Sequence, residues 1–327
     1  MALVVKPLDV KEERHPPPPF PQLMRHEFSA MLVAPKGSGK TTLIVNMLDF
    51  YKGYFHEIRI YSPTINADPK WEYVEKQKGY TVRNHKLEEW LEKHPYDHKL
   101  PMTDRRNQKL VVVIPPPRNQ WLKEKVKPKA DKHDGSITKE NLRDSIDLGE
   151  LAEWMEKRKK EIAHIKKHGK DISLYNRCLI IFDDMVGSGL FAGTRNNCFK
   201  MLNANHRHYS CSILEVTQAY KEIPKTIRTQ MSGFMFFRIA NLNELKVIYE
   251  ELPADFNQKD WFKIYDHITS KPHAFLFINL AEPYGHKMWD CFKGPVLLKT
   301  TGEGPDKTDI MEQQESSEGE QEETKNV

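Results

Sequence analysis

Short, unbroken apolar runs alternate along this chain with segments in which apolar residues recur every three or four positions. Unbroken runs of about five residues suit strands covered on both faces, whereas a strand with one wet face alternates with period two. On this pattern strands are expected near Ser29–Val33, Glu57–Tyr61, Lys109–Ile114, Cys178–Phe182, Ser212–Val216, Gly233–Arg238 and Ala274–Asn279. Helices are expected after Gly39, over Lys139–Lys167 and Thr194–Asn205, and again at Asn241–Glu251 and Asn257–Ile268. Strands alternating with helices predict an α/β fold on a mainly parallel sheet flanked by helices. No internal repeat is visible.

Composition supports a folded body. With 327 residues, 39% hydrophobic and 10% aromatic, the chain can bury a sizeable core in one large domain or two small ones, which excludes disorder throughout. No apolar run approaches the ~20 residues that span a bilayer, and the N-terminus lacks a secretory signal, so a soluble intracellular protein is expected. The four cysteines, Cys178, Cys198, Cys211 and Cys291, have neither the CxxC spacing of a metal pair nor that of a disulfide framework, and reduced thiols are the default.

Charge is uneven. The net value is +4, but residues 301–327 hold nine acids against two lysines, which leaves the remaining body at about +11. Such a body suits phosphate-rich partners, although a solvated basic surface accounts for the same counts. The Glu-, Gln-, Ser- and Gly-rich stretch 301–327 reads as a disordered acidic tail, and "HPPPPFP" ends an extended Pro-rich lead-in over 1–20. The folded body is then expected over 21–300.

Candidate chemistry begins where the first strand meets the first helix, in "LVAPKGSGKTT". Ala34, Pro35, Lys36, Gly37, Ser38, Gly39, Lys40, Thr41 and Thr42 fit the phosphate loop G-x-x-x-x-G-K-[ST], with Ala34 in place of the first Gly. Two glycines let successive N–H groups curl around phosphate oxygens, and the following helix adds its positive end. Lys40 can reach the β- and γ-phosphates of ATP, and the Thr41 hydroxyl can ligate Mg2+. A second site is expected from "RCLIIFDDM", a buried strand that delivers two acids to the carboxyl edge of the sheet. Asp183 is the candidate metal ligand, and Asp184 the group that orients or deprotonates an attacking water. A third strand, "CSILEVTQAY", ends at Gln218.

Phosphate loop, strand with two acids and strand ending in Thr-Gln, in that order, resemble the FtsK-HerA superfamily of P-loop ATPases. With "VTQAYKEIPKTIR" the sequence is similar, over about Pro21 to Asn279, to the genome-packaging ATPases of poxviruses and other large DNA viruses. That resemblance implies a RecA-like fold, hydrolysis of ATP with Mg2+, a homo-oligomeric ring, hexameric in the family, double-stranded DNA as cargo and capsid proteins as partners at a viral assembly site. It also implies that the Gln strand lies between the phosphate-loop strand and the acidic strand, which would set Gln218 beside the γ-phosphate. Ring members complete a neighbour's site with an arginine; Arg207 is the favoured candidate here, Arg228 the other.

Thr41 and Asp183 are 142 positions apart, and a charged helical insertion is expected over about 115–176, with basic runs at Lys157–Lys160 and Lys166–Lys170. These runs suit DNA backbone, a neighbouring subunit or plain solvation. "NHRHY" at 205–209 lacks companion ligands at useful spacing and reads as a surface turn rather than a metal site. Two other functions stay open: a P-loop kinase of nucleotides or small molecules, and an inactive nucleotide-binding assembly protein.

Overall fold

Six parallel strands form the heart of the sheet: β1 (Ser29–Val33), β2 (Glu57–Tyr61), β3 (Leu142–Arg143), β4 (Cys178–Asp183), β5 (Cys211–Thr217) and β6 (Gly233–Phe236). Three antiparallel strands extend it, β7 (Leu276–Asn279), β8 (Met288–Asp290) and β9 (Gly294–Pro295), in the order β3-β2-β4-β5-β1-β6-β7-β8-β9. A separate antiparallel pair joins β10 (Leu297–Thr300) to β11 (Thr308–Met311). The computed structural model describes residues 15–96, 137, 139–169, 171–185, 190, 197–252, 256–283, 285–300 and 308–311. The strand expected at Lys109–Ile114 lies outside the described residues.

The unbroken apolar runs have the cause assigned to them. Cys178, Ile180 and Phe182 of β4 belong to one buried cluster and Leu179 and Ile181 to another, so alternate side chains feed two cores on opposite faces. Helix α1 (Lys40–Phe50) lays Leu43, Ile44 and Leu48 into one core, joined there by Trp71 and Val74 of α2 (Pro69–Lys76). The other core takes Leu151 and Met155 of α4 (Leu148–His168), Phe199 and Leu202 of α5 (Cys198–Asn205), Leu245 of α7 (Leu242–Glu251) and Trp261 of α8 (Gln258–Thr269). Two shorter helices complete the set, α3 (His85–Lys93), which packs on α4 through Leu87 and Ile165, and α6 (Lys225–Arg228).

The helix expected over Lys139–Lys167 starts nine residues later. Asp147 caps it, accepting from the N–H groups of Gly149 at 2.7 Å and Glu150 at 3.2 Å, whereas Leu142 and Arg143 pair with Ile60 and Tyr61 as a strand. An aspartate cap of this kind is worth about 1 kcal/mol, and Lys139–Asn141 forms only a 3-10 turn. β3 and α4 therefore pair with the main sheet and fill its core, although both fall in the stretch expected to be inserted. Asn197 and Asn257 likewise set the starts of α5 and α8, accepting from Phe199 at 2.8 Å and Asp260 at 3.0 Å. Within the tail expected to be disordered, Thr308–Met311 is a strand paired with Leu297–Thr300.

One residue of the Lys157–Lys160 basic run is not solvated. Arg158 is 4% exposed and donates to the carbonyls of Tyr209, Ser210 and Asn176, tying α4 to the amino ends of β4 and β5. The lead-in is also docked at this edge: Tyr54 donates to the Pro16 carbonyl at 2.7 Å, and His15 pairs with Glu27 at 3.1 Å.

Candidate nucleotide site

The sheet order puts β5 between β1 and β4, so three strand ends converge on one edge. The ladder runs to that edge on both sides of β5: the Ala34 N–H donates to the Thr217 carbonyl at 3.0 Å and the Asp184 N–H to the Val216 carbonyl at 2.9 Å. The placement of the Gln strand implied by the family resemblance is met.

Beyond β1 the chain turns sharply. Ser38 bonds back to the Pro35 carbonyl through both its N–H, at 3.2 Å, and its hydroxyl, at 2.7 Å. Gly37 and Gly39 adopt φ of 79° and 107°, and the Gly39 carbonyl then accepts the Leu43 N–H at 2.9 Å as the first bond of α1. Only glycine takes these angles without strain. Ala34, where the motif has its first Gly, is fully buried and is not among the positive-φ residues, so the departure from the pattern needs no special backbone here. The first turn of α1 carries no acid to compete with an anion for its N-terminus.

Lys40, Asp184 and Gln218 form a chain. The Lys40 Nζ lies 3.7 Å from Asp184 Oδ2, and Gln218 Nε2 donates to the same oxygen at 2.7 Å. Asp184 holds its place with φ of 56°, a left-handed conformation that aspartate tolerates better than most residues and that turns its carboxylate back over the strand end. Asp183, the last residue of β4, is 3% exposed. Its Oδ2 accepts from Ser62 Oγ at 2.8 Å while its Oδ1 is buried with no partner. Burial pushes the Asp183 carboxyl above its ordinary range, further helped by Asp184, against the pull of Ser62 and Lys40. A buried carboxylate oxygen left over at the phosphate-loop edge is the donor a hard divalent cation seeks, so the residues present fit Mg2+.

Three contributors were not read from the sequence. Ser62, the residue after β2, orients Asp183. Glu222 accepts from the Gln218 and Ala219 N–H groups and from the Thr217 hydroxyl. His273, in the turn before β7, donates from Nδ1 to the Ser38 carbonyl at 3.0 Å, with φ of 61°. Ser62 and His273 stand next to strand ends at the carboxyl edge, the one signal that was available.

Arg207 and Arg228 are not brought to this chain's own site. Arg207 is exposed in the turn before β5, at the opposite edge. Arg228 is buried, doubly bonded to Glu251 at 2.8–3.0 Å and stacked 4.4 Å over Tyr220, which explains it as a structural residue. The 205–209 turn is likewise structural: His206 bonds to the carbonyls of Asn203 and Glu27.

Among known proteins, residues 140–274 match the family model of the poxvirus A32 protein, a span that includes Asp183, Asp184 and Gln218 and begins after the phosphate loop. No curated relative matches the sequence. Among solved structures, the genome packaging NTPase B204 of Sulfolobus turreted icosahedral virus 2, in complex with AMP, is 13% identical over 82% of this chain and 99% of its own, with a TM-score of 0.46. The pCW3 conjugation coupling protein TcpA with ATPγS is 11% identical over 81% of this chain and 61% of its own, with a TM-score of 0.38. The cytoplasmic domain of the Thermomonospora curvata type VII secretion ATPase EccC is 13% identical over 82% and 26%, also with a TM-score of 0.38. The mostly parallel sheet with β5 between the phosphate-loop and acidic strands is a P-loop NTPase fold, and through residues 140–274 the chain is similar to the poxvirus A32 proteins, as its motifs suggested.

Proposed function

We propose that the protein hydrolyses ATP and uses it to drive double-stranded DNA into a viral capsid, working as a homo-oligomeric ring. The observation that carries this reading is the Lys40–Asp184–Gln218 chain set beside the unpartnered Asp183 oxygen at one sheet edge. Backbone N–H groups of residues 36–40 and the start of α1 would cradle the phosphates, and Lys40 would leave Asp184 for the β- and γ-oxygens. Thr41 and Asp183 would hold Mg2+, which when bound offsets the charge of the triphosphate. Asp184, freed from Lys40, would orient the attacking water and accept its proton. Gln218 donates to the same Asp184 oxygen that lies near Lys40, so its amide would register whether that carboxylate faces water or phosphate. Arg207, at the far edge of its own sheet, would serve a neighbouring subunit's nucleotide rather than its own.

The match of residues 140–274 to the poxvirus A32 family supports the packaging reading, and the positive body suits DNA as its cargo. No helix among the described residues is long and apolar enough to cross a membrane. The test is ATP turnover with and without duplex DNA across salt. A packaging motor is stimulated by duplex, with an effect that falls steeply as salt rises because phosphate contacts release counterions. Turnover indifferent to DNA of every length would instead favour a kinase, and no turnover a nucleotide-binding assembly protein.

A further inference from the structure

The turn after β5 carries Gln218 beyond the reach of both neighbouring strands. The last ladder bonds on either side of β5 are those to the Thr217 and Val216 carbonyls, and neither β1 nor β4 supplies an acceptor for the next N–H groups. One side chain takes over. Oε2 of Glu222 accepts from the Gln218 N–H at 3.2 Å, the Ala219 N–H at 3.1 Å and the Thr217 hydroxyl. The next N–H along, that of Tyr220, goes to Oε1 of Glu244 on α7. Three consecutive N–H groups of the turn thus end on two carboxylates.

We propose that Glu222 is a positioning residue for ATP hydrolysis: its carboxylate holds the turn in the one shape that aims Gln218 at Asp184. The proposal rests on the ATPase reading above and deepens it. A single anionic oxygen suits the task because it can accept three converging donors in charge-assisted bonds, each stronger than its neutral counterpart. Gln218 is an exposed side chain, and a long exposed amide holds a 2.7 Å bond to Asp184 only if its backbone is fixed. Glu222 is itself exposed, and a merely solvated acid at that position would be neutral to remove.

The described contacts of Glu222 are all to the turn and none to residues 34–42, which predicts a split between binding and turnover. Truncation should leave nucleotide affinity and lower the rate of the step that Asp184 and Gln218 serve. In the full chain, Glu222→Ala is expected to lower kcat about tenfold while KM and the Kd for ATPγS stay within about twofold. Glu222→Gln, which keeps an accepting oxygen, should recover most of the rate. Against a Gln218→Ala background, Glu222→Ala should cost nothing more, because the group it aims is gone. An undiminished kcat in Glu222→Ala, or a full further loss in the double variant, would overturn the proposal. Amide hydrogen exchange over 217–222 judges the clamp apart from activity: exchange should quicken in Glu222→Ala, and unchanged protection would overturn it. A wild-type chain without ATP turnover would sink the ATPase reading, while the exchange result would still decide whether Glu222 holds the turn.

Discussion

At the scale of the residue, the site is a set of charges waiting for a partner. Lys40 has the Asp184 carboxylate 3.7 Å away, a distance that leaves the ammonium free to move to a stronger anion, and a triphosphate is one. Lys40→Ala is therefore expected to weaken ATP binding at least tenfold, measured by titration calorimetry, with the melting temperature changed by only a few degrees because Lys40 belongs to neither apolar core. Gly39 is more demanding. Its φ of 107° disfavours any L side chain, and an added Cβ would lie 3.1 Å from His273 Nδ1. Gly39→Ala should cost about 1 kcal/mol or more of stability by chemical denaturation, and combining it with His273→Ala should recover only the steric part. Lys40, Thr41, Asp183 and Gln218 were legible in the sequence because each sits at a fixed offset from a strand end, and geometry follows from offset. Ser62 and His273 were not, because their contacts to Asp183 and Ser38 depend on how distant parts of the chain meet, and Glu222 was not, because its role depends on the shape of the turn after β5.

At the scale of the element, the buried Glu215 and the half-buried His56 give the strands opposite pH dependences. Glu215 of β5 is 2% exposed with the Asn203 amide as partner, and burial pushes its carboxyl up to about 8. The unfolded chain releases that proton near the ordinary value of 4.5 and the folded chain only near 8, so Glu215 costs stability progressively as pH rises through that window. His56, before β2, is pushed down to about 3 by burial first and by Arg177 and Arg158 next, and its Nδ1 accepts the Arg177 N–H at 2.8 Å. Here the unfolded chain takes up a proton below 6.5 and the folded chain does not until about 3, so stability falls as pH drops through that range. Thermal denaturation from pH 4 to pH 9 checks both: Glu215→Gln should flatten the alkaline limb and His56→Gln, which retains an acceptor, the acid limb. The strands that build the site were readable because residues buried on both faces leave continuous apolar runs. β3 was hidden because two residues make no pattern, and its pairing with Ile60 and Tyr61 ended a helix that periodicity alone would have begun at Lys139.

At the scale of the molecule, sheet order is the property that matters. Inserting β5 between β1 and β4 brings a lysine, two aspartates and a glutamine from segments up to 178 positions apart onto one edge, where one Asp184 oxygen accepts from Gln218 and lies 3.7 Å from Lys40. That arrangement assigns separate tasks to holding the nucleotide and to cleaving it. The most direct measurement is ATPγS binding and ATP turnover of Asp184→Asn beside the wild type. The asparagine keeps the size and a bond to Gln218 but cannot take a proton from water. The account predicts ATPγS affinity within about threefold of wild type and turnover reduced at least a hundredfold. Equal turnover in the two proteins would contradict it.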